Sequence, residues 1–280
     1  MRKFAVILLL FICIVVPAPL VAWEYESVET EKNTSLQLRT GAEFTKKFAH
    51  HVHLGISEEL RFDLVPFGAA TIFDRSFTTV SLSYAPIDYL KLDAGYMLKI
   101  IGAQTTNSEK VSSHWSDANE FIKHRVFFSI SGVYKLEYWK FSIRERVLCD
   151  MRTDSVNPLE KNKYDWTLRH RLSVEYSIPA RPIKTYAWIE FANTLNAPEY
   201  QQKYRDNNPE KYKGHQYLER IRTCVGVKYR VDKKNTLNFF YRLDYGYQRD
   251  INITKTKGNI ELTEVKDYQN AIGFIYEFDW

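Results

Sequence analysis

Apolar and polar side chains alternate with a period of two along most of the chain after residue 34. Val52, Leu54, Ile56, Leu60 and Phe62 share one parity, against His51, His53, Ser57, Glu59 and Arg61 on the other. Leu90, Leu92, Ala94, Tyr96, Leu98 and Ile100 oppose Lys91, Asp93, Gly95 and Lys99. The same holds for Trp166, Leu168, Leu172, Val174, Tyr176 and Ile178 against Thr167, Arg169, Arg171, Ser173 and Glu175. A period of two is the signature of strands with one apolar and one polar face. The pattern predicts strands over 34–45, 50–62, 75–85, 90–101, 122–133, 139–149, 165–178, 185–193, 218–230, 236–248 and 268–280.

Strand length separates the two architectures that alternate in this way. Strands of a packed sandwich are commonly about five or six residues long, whereas a tilted strand crossing a bilayer needs about 9–11. Several segments here keep their alternation for that length, and their apolar faces carry aromatics near the ends (Tyr84, Trp139, Trp166, Tyr229, Tyr247). Aromatic girdles at both interfaces belong to transmembrane barrels. The predicted fold is therefore all-β, a transmembrane antiparallel up-and-down β-barrel of about 12 strands, with 10 or 14 as alternatives. The twelfth would be a short first strand at Glu24–Val28. Connections at 45–50, 85–89, 134–138, 179–184 and 231–235 are short; those at 63–74, 102–121, 150–164, 194–217 and 249–267 are longer and polar. That alternation predicts short periplasmic turns and longer extracellular loops.

The two ends fit an outer-membrane destination. Arg2 and Lys3 precede an apolar run over 4–16, and small residues follow through Ala22, so residues 1–22 read as a cleaved signal peptide and 23–280 as a single barrel domain. Ile272, Phe274, Tyr276, Phe278 and Trp280 share one parity and end on an aromatic, which resembles the signal read by the outer-membrane barrel assembly machinery. That machinery and outer-membrane lipid are the expected partners.

The strand pattern resembles an uncharacterised family of bacterial outer-membrane barrels, domain-of-unknown-function family 2490. The likeness rests on Glu59-Leu60-Arg61-Phe62 and on Val80-Ser81-Leu82-Ser83-Tyr84 leading through a Pro turn to Leu90-Lys91-Leu92-Asp93-Ala94-Gly95-Tyr96. It continues in His124-Arg125, Arg144-Glu145-Arg146, Leu168-Arg169-His170-Arg171-Leu172, Glu190-Phe191 and Gly226-Val227-Lys228-Tyr229. The resemblance implies a location and a fold, and brings no catalytic residues with it.

Composition matters mainly through where the charges fall. The formal net charge is only +5, which gives no general argument for a nucleic-acid partner. The polar faces are far more one-sided. Arg39, Arg61, Lys91, Lys99, Arg125, Lys140, Arg144, Arg146, Arg169, Arg171, Arg220, Arg222, Lys228, Arg230 and Arg242 stand against Glu43, Glu59, Asp93, Glu175, Glu190, Asp244, Glu277 and Asp279. Arg144, Arg146, Arg169, Arg171, Arg220, Arg222 and Arg242 form a basic track in the expected lumen, with Glu43, Glu59, Glu175 and Glu190 as acidic partners.

Two readings follow. In the first, the interior is a net-basic salt-bridge network with a structural or surface-contact role, since small barrels can be filled by their own side chains. In the second, the track makes a narrow passive channel favouring a small anionic solute. An outer-membrane lipid-modifying enzyme is a third and weaker reading: His114-Trp115-Ser116 is the nearest His/Ser pair and sits in a long loop, so no enzyme is expected. Glu58, Glu145 and His170 fall on the lipid-facing parity, the acids explained by an interfacial position or a register-shifting bulge, His170 by an interfacial position near Trp166. His50, His51 and His53 cluster, but only His51 and His53 share a face and no further ligand joins them there, and no Gly-rich phosphate loop, CxxC pair or HExxH occurs. No metal and no cofactor are expected. Cys149 and Cys224 read as free thiols.

Overall fold

The computed structural model describes residues 30–65, 73–102, 122–152, 163–196, 217–254 and 259–280. Among them are eleven strands: β1 (Thr30–Ala49), β2 (Val52–Val65), β3 (Phe73–Ile87), β4 (Leu90–Ile101), β5 (Ile122–Lys135), β6 (Trp139–Arg152), β7 (Tyr164–Ser177), β8 (Ile183–Thr194), β9 (Tyr217–Arg230), β10 (Asn235–Thr254) and β11 (Asn259–Asp279). Each pairs with its sequence neighbour, and β1 pairs with β11 to close a barrel. All pairings are antiparallel except that last one, which runs parallel from Thr30↔Glu264 to Thr45↔Asp279. The exception follows from the count: when neighbours run up and down in turn, an odd number of strands makes the first and last point the same way.

Eleven is close to the expected number. The proposed strand Glu24–Val28 lies outside the described residues, as do the expected signal peptide and the His114–Ser116 loop. With both edges of β1 occupied, by β2 and by β11, the described barrel closes without a further strand. The connection expected over 249–267 is largely strand instead, because β10 continues to Thr254 and β11 starts at Asn259, paired residue by residue. Alternation there is obscured by charged and amide residues, so periodicity ends early although backbone pairing does not.

The side chains are arranged inside out relative to a soluble protein. Phe128, Leu82 and Val225 turn outward and are 54%, 53% and 56% exposed, while Arg39 and Glu190 on the inner face are 0% and 1% exposed. Outward apolar side chains and a polar interior are what a bilayer-spanning barrel requires, because lipid cannot satisfy polar groups and the closed ladder satisfies the backbone. Where inner side chains are bulky, glycine on the next strand makes room. A Cβ on Gly226 would collide with the Tyr186 ring, and one on Gly95 with the ring of Phe127.

The short turns are built from local hydrogen bonds. The Asp232 carboxylate accepts from the backbone N–H of Lys234 at 2.7 Å and of Asn235 at 2.8 Å. Those backbone donors, and then the Asn235 side chain, hold its carboxyl below the usual range. The turn after β7 places Ala180 at φ 56°, a left-handed conformation that costs a Cβ-bearing residue energy.

Candidate functional site: the charged interior

Strand register sorts the inner arginines into transverse rows. In one row, Arg144 (β6) faces Arg171 (β7), which faces Glu190 (β8), which faces Arg222 (β9), which faces Asp244 (β10). Two residues further toward the long connections, Arg146 faces Arg169, then come Ala192, Arg220 and Gly246.

The first row is matched. Glu190 Oε1 accepts from Arg222 Nη1 at 2.9 Å, while Oε2 accepts from Arg171 Nε at 2.8 Å and Arg144 Nη2 at 3.3 Å. Asp244 takes both ends of the Arg242 fork at 2.6 Å. Arg222 Nε lies 3.6 Å from Asp244, so this arginine joins the two carboxylates. The network then crosses the seam. Arg39 on β1 reaches Asp244 at 3.4 Å and donates to Gln269 at 2.8 Å and to Gln37 at 2.9 Å. Gln37 in turn donates to Asp63 and Asp74, both at 2.8 Å, and Asp74 holds Arg75 at 2.7 Å. One chain of charged and amide groups thus runs from β6 through β8, β9, β10 and β1 to β3.

Cationic faces are also stacked. Arg171 lies 3.9 Å from the Trp188 ring centroid, Arg61 4.2 Å from Phe77 and Arg146 4.4 Å from Phe127. Desolvated cation–π contacts of this kind fix the guanidinium plane and leave its edge free to donate. Nearer the short turns the cations are lysines: Lys228 Nζ contacts Glu277 at 2.7 Å, and Asn238 links that carboxylate to the Tyr186 hydroxyl through bonds of 2.9 and 2.8 Å.

The expected acidic partners have different neighbours. Glu190 gathers three arginines; Glu59 pairs with Arg61 at 2.6 Å; Glu175 pairs with Lys184 at 3.2 Å, across the turn before β8. Glu43 stands opposite Glu277 across the parallel seam. Arg242 belongs to the Asp244 cluster, whereas Arg146, Arg169 and Arg220 make no ion pair with a described residue. Sequence reasoning missed Asp150, which holds Arg125, and also Asp74, Gln37 and Gln269. Asp74 and Asp150 fall in the connections that the alternation predicts, and the two glutamines carry no charge to draw attention. Asp150 was legible in one respect, since it continues the parity of Arg144, Arg146 and Leu148.

The outward polar residues are paired too. Glu145 stands opposite His170 and its carboxylate contacts the imidazole. Glu58 accepts from Thr78 on β3, and Tyr96 and His124 are in contact at 2.5 Å. The register is continuous through Glu58 and Glu145, so the bulge offered above for them does not occur. Cross-strand pairing instead compensates each group. Cys149 and Cys224 are free and buried. Among the described residues no group of three or more His, Cys, Asp or Glu could hold a metal.

Residues 36–254 match a family model described as "Protein of unknown function (DUF2490)". No curated protein matches the chain. Among solved structures, a NanC porin is 11% identical over 81% of this chain and 94% of its own, with a TM-score of 0.42. Outer-membrane expressed OmpT of Vibrio cholerae is 13% identical over 79% of this chain and 62% of its own, with a TM-score of 0.36.

Proposed function

The chain belongs to the DUF2490 family of proteins of unknown function, and from that premise we propose that it is an outer-membrane barrel whose net-basic, salt-bridged interior has a structural role, holding a rigid wall that presents surface loops for contact. The observation that carries this reading is Arg39. It lies on the inner face of β1 with 0% exposure, pinned by Gln37, Asp244 and Gln269. An arginine sealed in this way supports an interior filled beside it by side chains rather than water. The test is reconstitution of the purified protein in planar bilayers. Membranes should stay silent, and sustained single-channel steps would overturn the structural role.

A second reading, a narrow passage favouring small anions, is supported by Arg144, Arg169 and Arg171, which keep partial exposure on the inner wall. Steps whose reversal potential shifts toward the anion would select it. Catalysis is not part of the proposal. His170 is flanked by Glu145 and Phe191 across the strands and by Leu168 and Leu172 along its own, so among the described residues no hydroxyl nucleophile adjoins it. The assembly machinery remains the proposed partner of β11, on which Ile272, Phe274, Tyr276 and Phe278 share one face and after which Trp280 follows, its ring under the Lys46 ammonium at 3.6 Å.

A further inference from the structure

We propose that the outward face of β5–β9 carries a groove that holds one acyl chain of a glycerophospholipid from the periplasmic leaflet. The site requires a barrel standing in a bilayer and is independent of what fills the interior.

Strand pairing lines up its two sides. Phe141, Val174 and Val225 stand along one side, and Ile143, Leu172 and Ile189 along the other, two residues away on the same face. Small residues open the space between them. Ala187 separates Val174 from Val225 in the first row, and Gly132 adjoins Ile143 at the β5 end of the second. The groove so formed has a volume of about 650 Å³. Five strands about 4.8 Å apart give it a length of roughly 19 Å, which suits a single extended acyl chain. Gly132 is the telling position. Glycine weakens a strand interior, and at Gly95 and Gly226 it clears room for a neighbouring ring. A Cβ on Gly132 would meet nothing within 4 Å, so among the described residues no side chain fills the space it leaves. A strand glycine with no neighbour to accommodate suits the close approach of a ligand.

Shape selects the occupant. Lipid tails are as apolar as leucine, so nothing but van der Waals packing retains one tail on an outward wall. A concave site surrounds a chain and multiplies those contacts, whereas a convex wall touches it on one side only. A second copy of the protein would present another convex barrel wall, which would meet the rims of the groove and leave its floor empty. A single flexible chain follows the floor. Polarity selects the leaflet. Tyr89 and Tyr134 close the groove at its β5 end, beside the short turns that follow β3 and β5. Amphipathic rings of this kind sit at headgroup level, and away from them Leu172, Ile189 and Val225 are aliphatic. The ester end of the lipid therefore lies at the tyrosines and the methyl end toward Val225.

The full protein, delipidated in detergent, is titrated with phosphatidylethanolamine, with its single-chain lyso form, and with glycerophosphoethanolamine, which has no chain. Bound molecules are counted by native mass spectrometry. One saturable equivalent of either acylated lipid is expected, and none of the chainless headgroup. Gly132→Leu fills the groove from β5 and should weaken lipid binding at least tenfold. Ala94→Leu, exposed on the outward face of β4 but outside the groove, should leave it unchanged. Should Gly132→Leu not fold, Ala187→Leu serves instead, filling the groove from β8. The proposal is overturned if neither acylated lipid binds saturably, if the headgroup alone binds as well, if the groove-filling variant binds like the native protein, or if Ala94→Leu loses as much. Bilayer recordings bear on the interior alone. A conducting barrel that still holds one lipid would remove the structural role and keep the groove, and a silent barrel that holds none would do the reverse.

Discussion

Two rows of arginines, two residues apart on the same strands, behave differently. Around Glu190 the guanidinium groups of Arg144, Arg171 and Arg222 converge on one carboxylate that is 1% exposed. Around Ala192, Arg146, Arg169 and Arg220 make no ion pair with a described residue, and their Nε atoms lack a hydrogen-bond partner, as does that of Arg222 in the first row. The rows differ at two inward positions: Glu190 on β8 and Asp244 on β10 in the first are replaced by Ala192 and Gly246 in the second. Where those two acids are present the arginines form a lock, and where they are absent the arginines make no ion pair with a described residue.

Removing the carboxylate from the matched row should have the largest effect. Glu190→Gln removes the carboxylate shared by Arg144, Arg171 and Arg222, leaving Arg222 only its contact with Asp244, and should destabilise the barrel by about 3–5 kcal/mol, the range for breaking a buried ion pair from one side. Denaturant unfolding of the refolded barrel reads this directly; a change within error would mean that the lock contributes nothing. Supplying a carboxylate to the unmatched row is the reciprocal experiment. Ala192→Glu should stabilise by roughly 1–2 kcal/mol through charge-assisted hydrogen bonds, and a loss of stability would show that the row lacks room for one.

The turns should matter less than either row. Ala180→Gly relieves the left-handed backbone at φ 56° and should stabilise by about 1 kcal/mol, visible as a small upward shift in unfolding midpoint. The smallest effect belongs to Asp232. Its carboxyl titrates below the usual range in the folded turn because backbone donors hold the anion. Its contribution is therefore present above the unfolded carboxyl's titration and is lost as pH falls through the lowered folded value. Asp232→Asn should lower neutral stability slightly and flatten that acidic limb by the same amount; an unaltered limb would assign the acid dependence elsewhere.

How far the sequence could be read depended on range. Alternation identified every strand among the described residues to within a few positions, except where β10 and β11 run on past Tyr247 through charged residues. The inward face of Arg144, Arg146, Arg169 and Arg171 followed from parity alone, because in a strand only two directions exist. Pairing did not follow. Glu175 meets Lys184 because a short turn brings β7 and β8 together, and Glu190 meets Arg144 two strands away. Gln37 and Gln269 take part in the Arg39 cluster through amide chemistry that a count of charges overlooks.

Which side chains face lipid and which face the axis was determined by the sequence itself, since a period of two is a local property of each strand and needs no partner. The parallel β1–β11 seam, the lock at Glu190 and the row beside Ala192, whose arginines make no ion pair with a described residue, were decided only when the sheet closed. Closure sets the register between residues more than two hundred positions apart, as between Arg39 and Asp244, and no local pattern encodes which charges that register brings within reach.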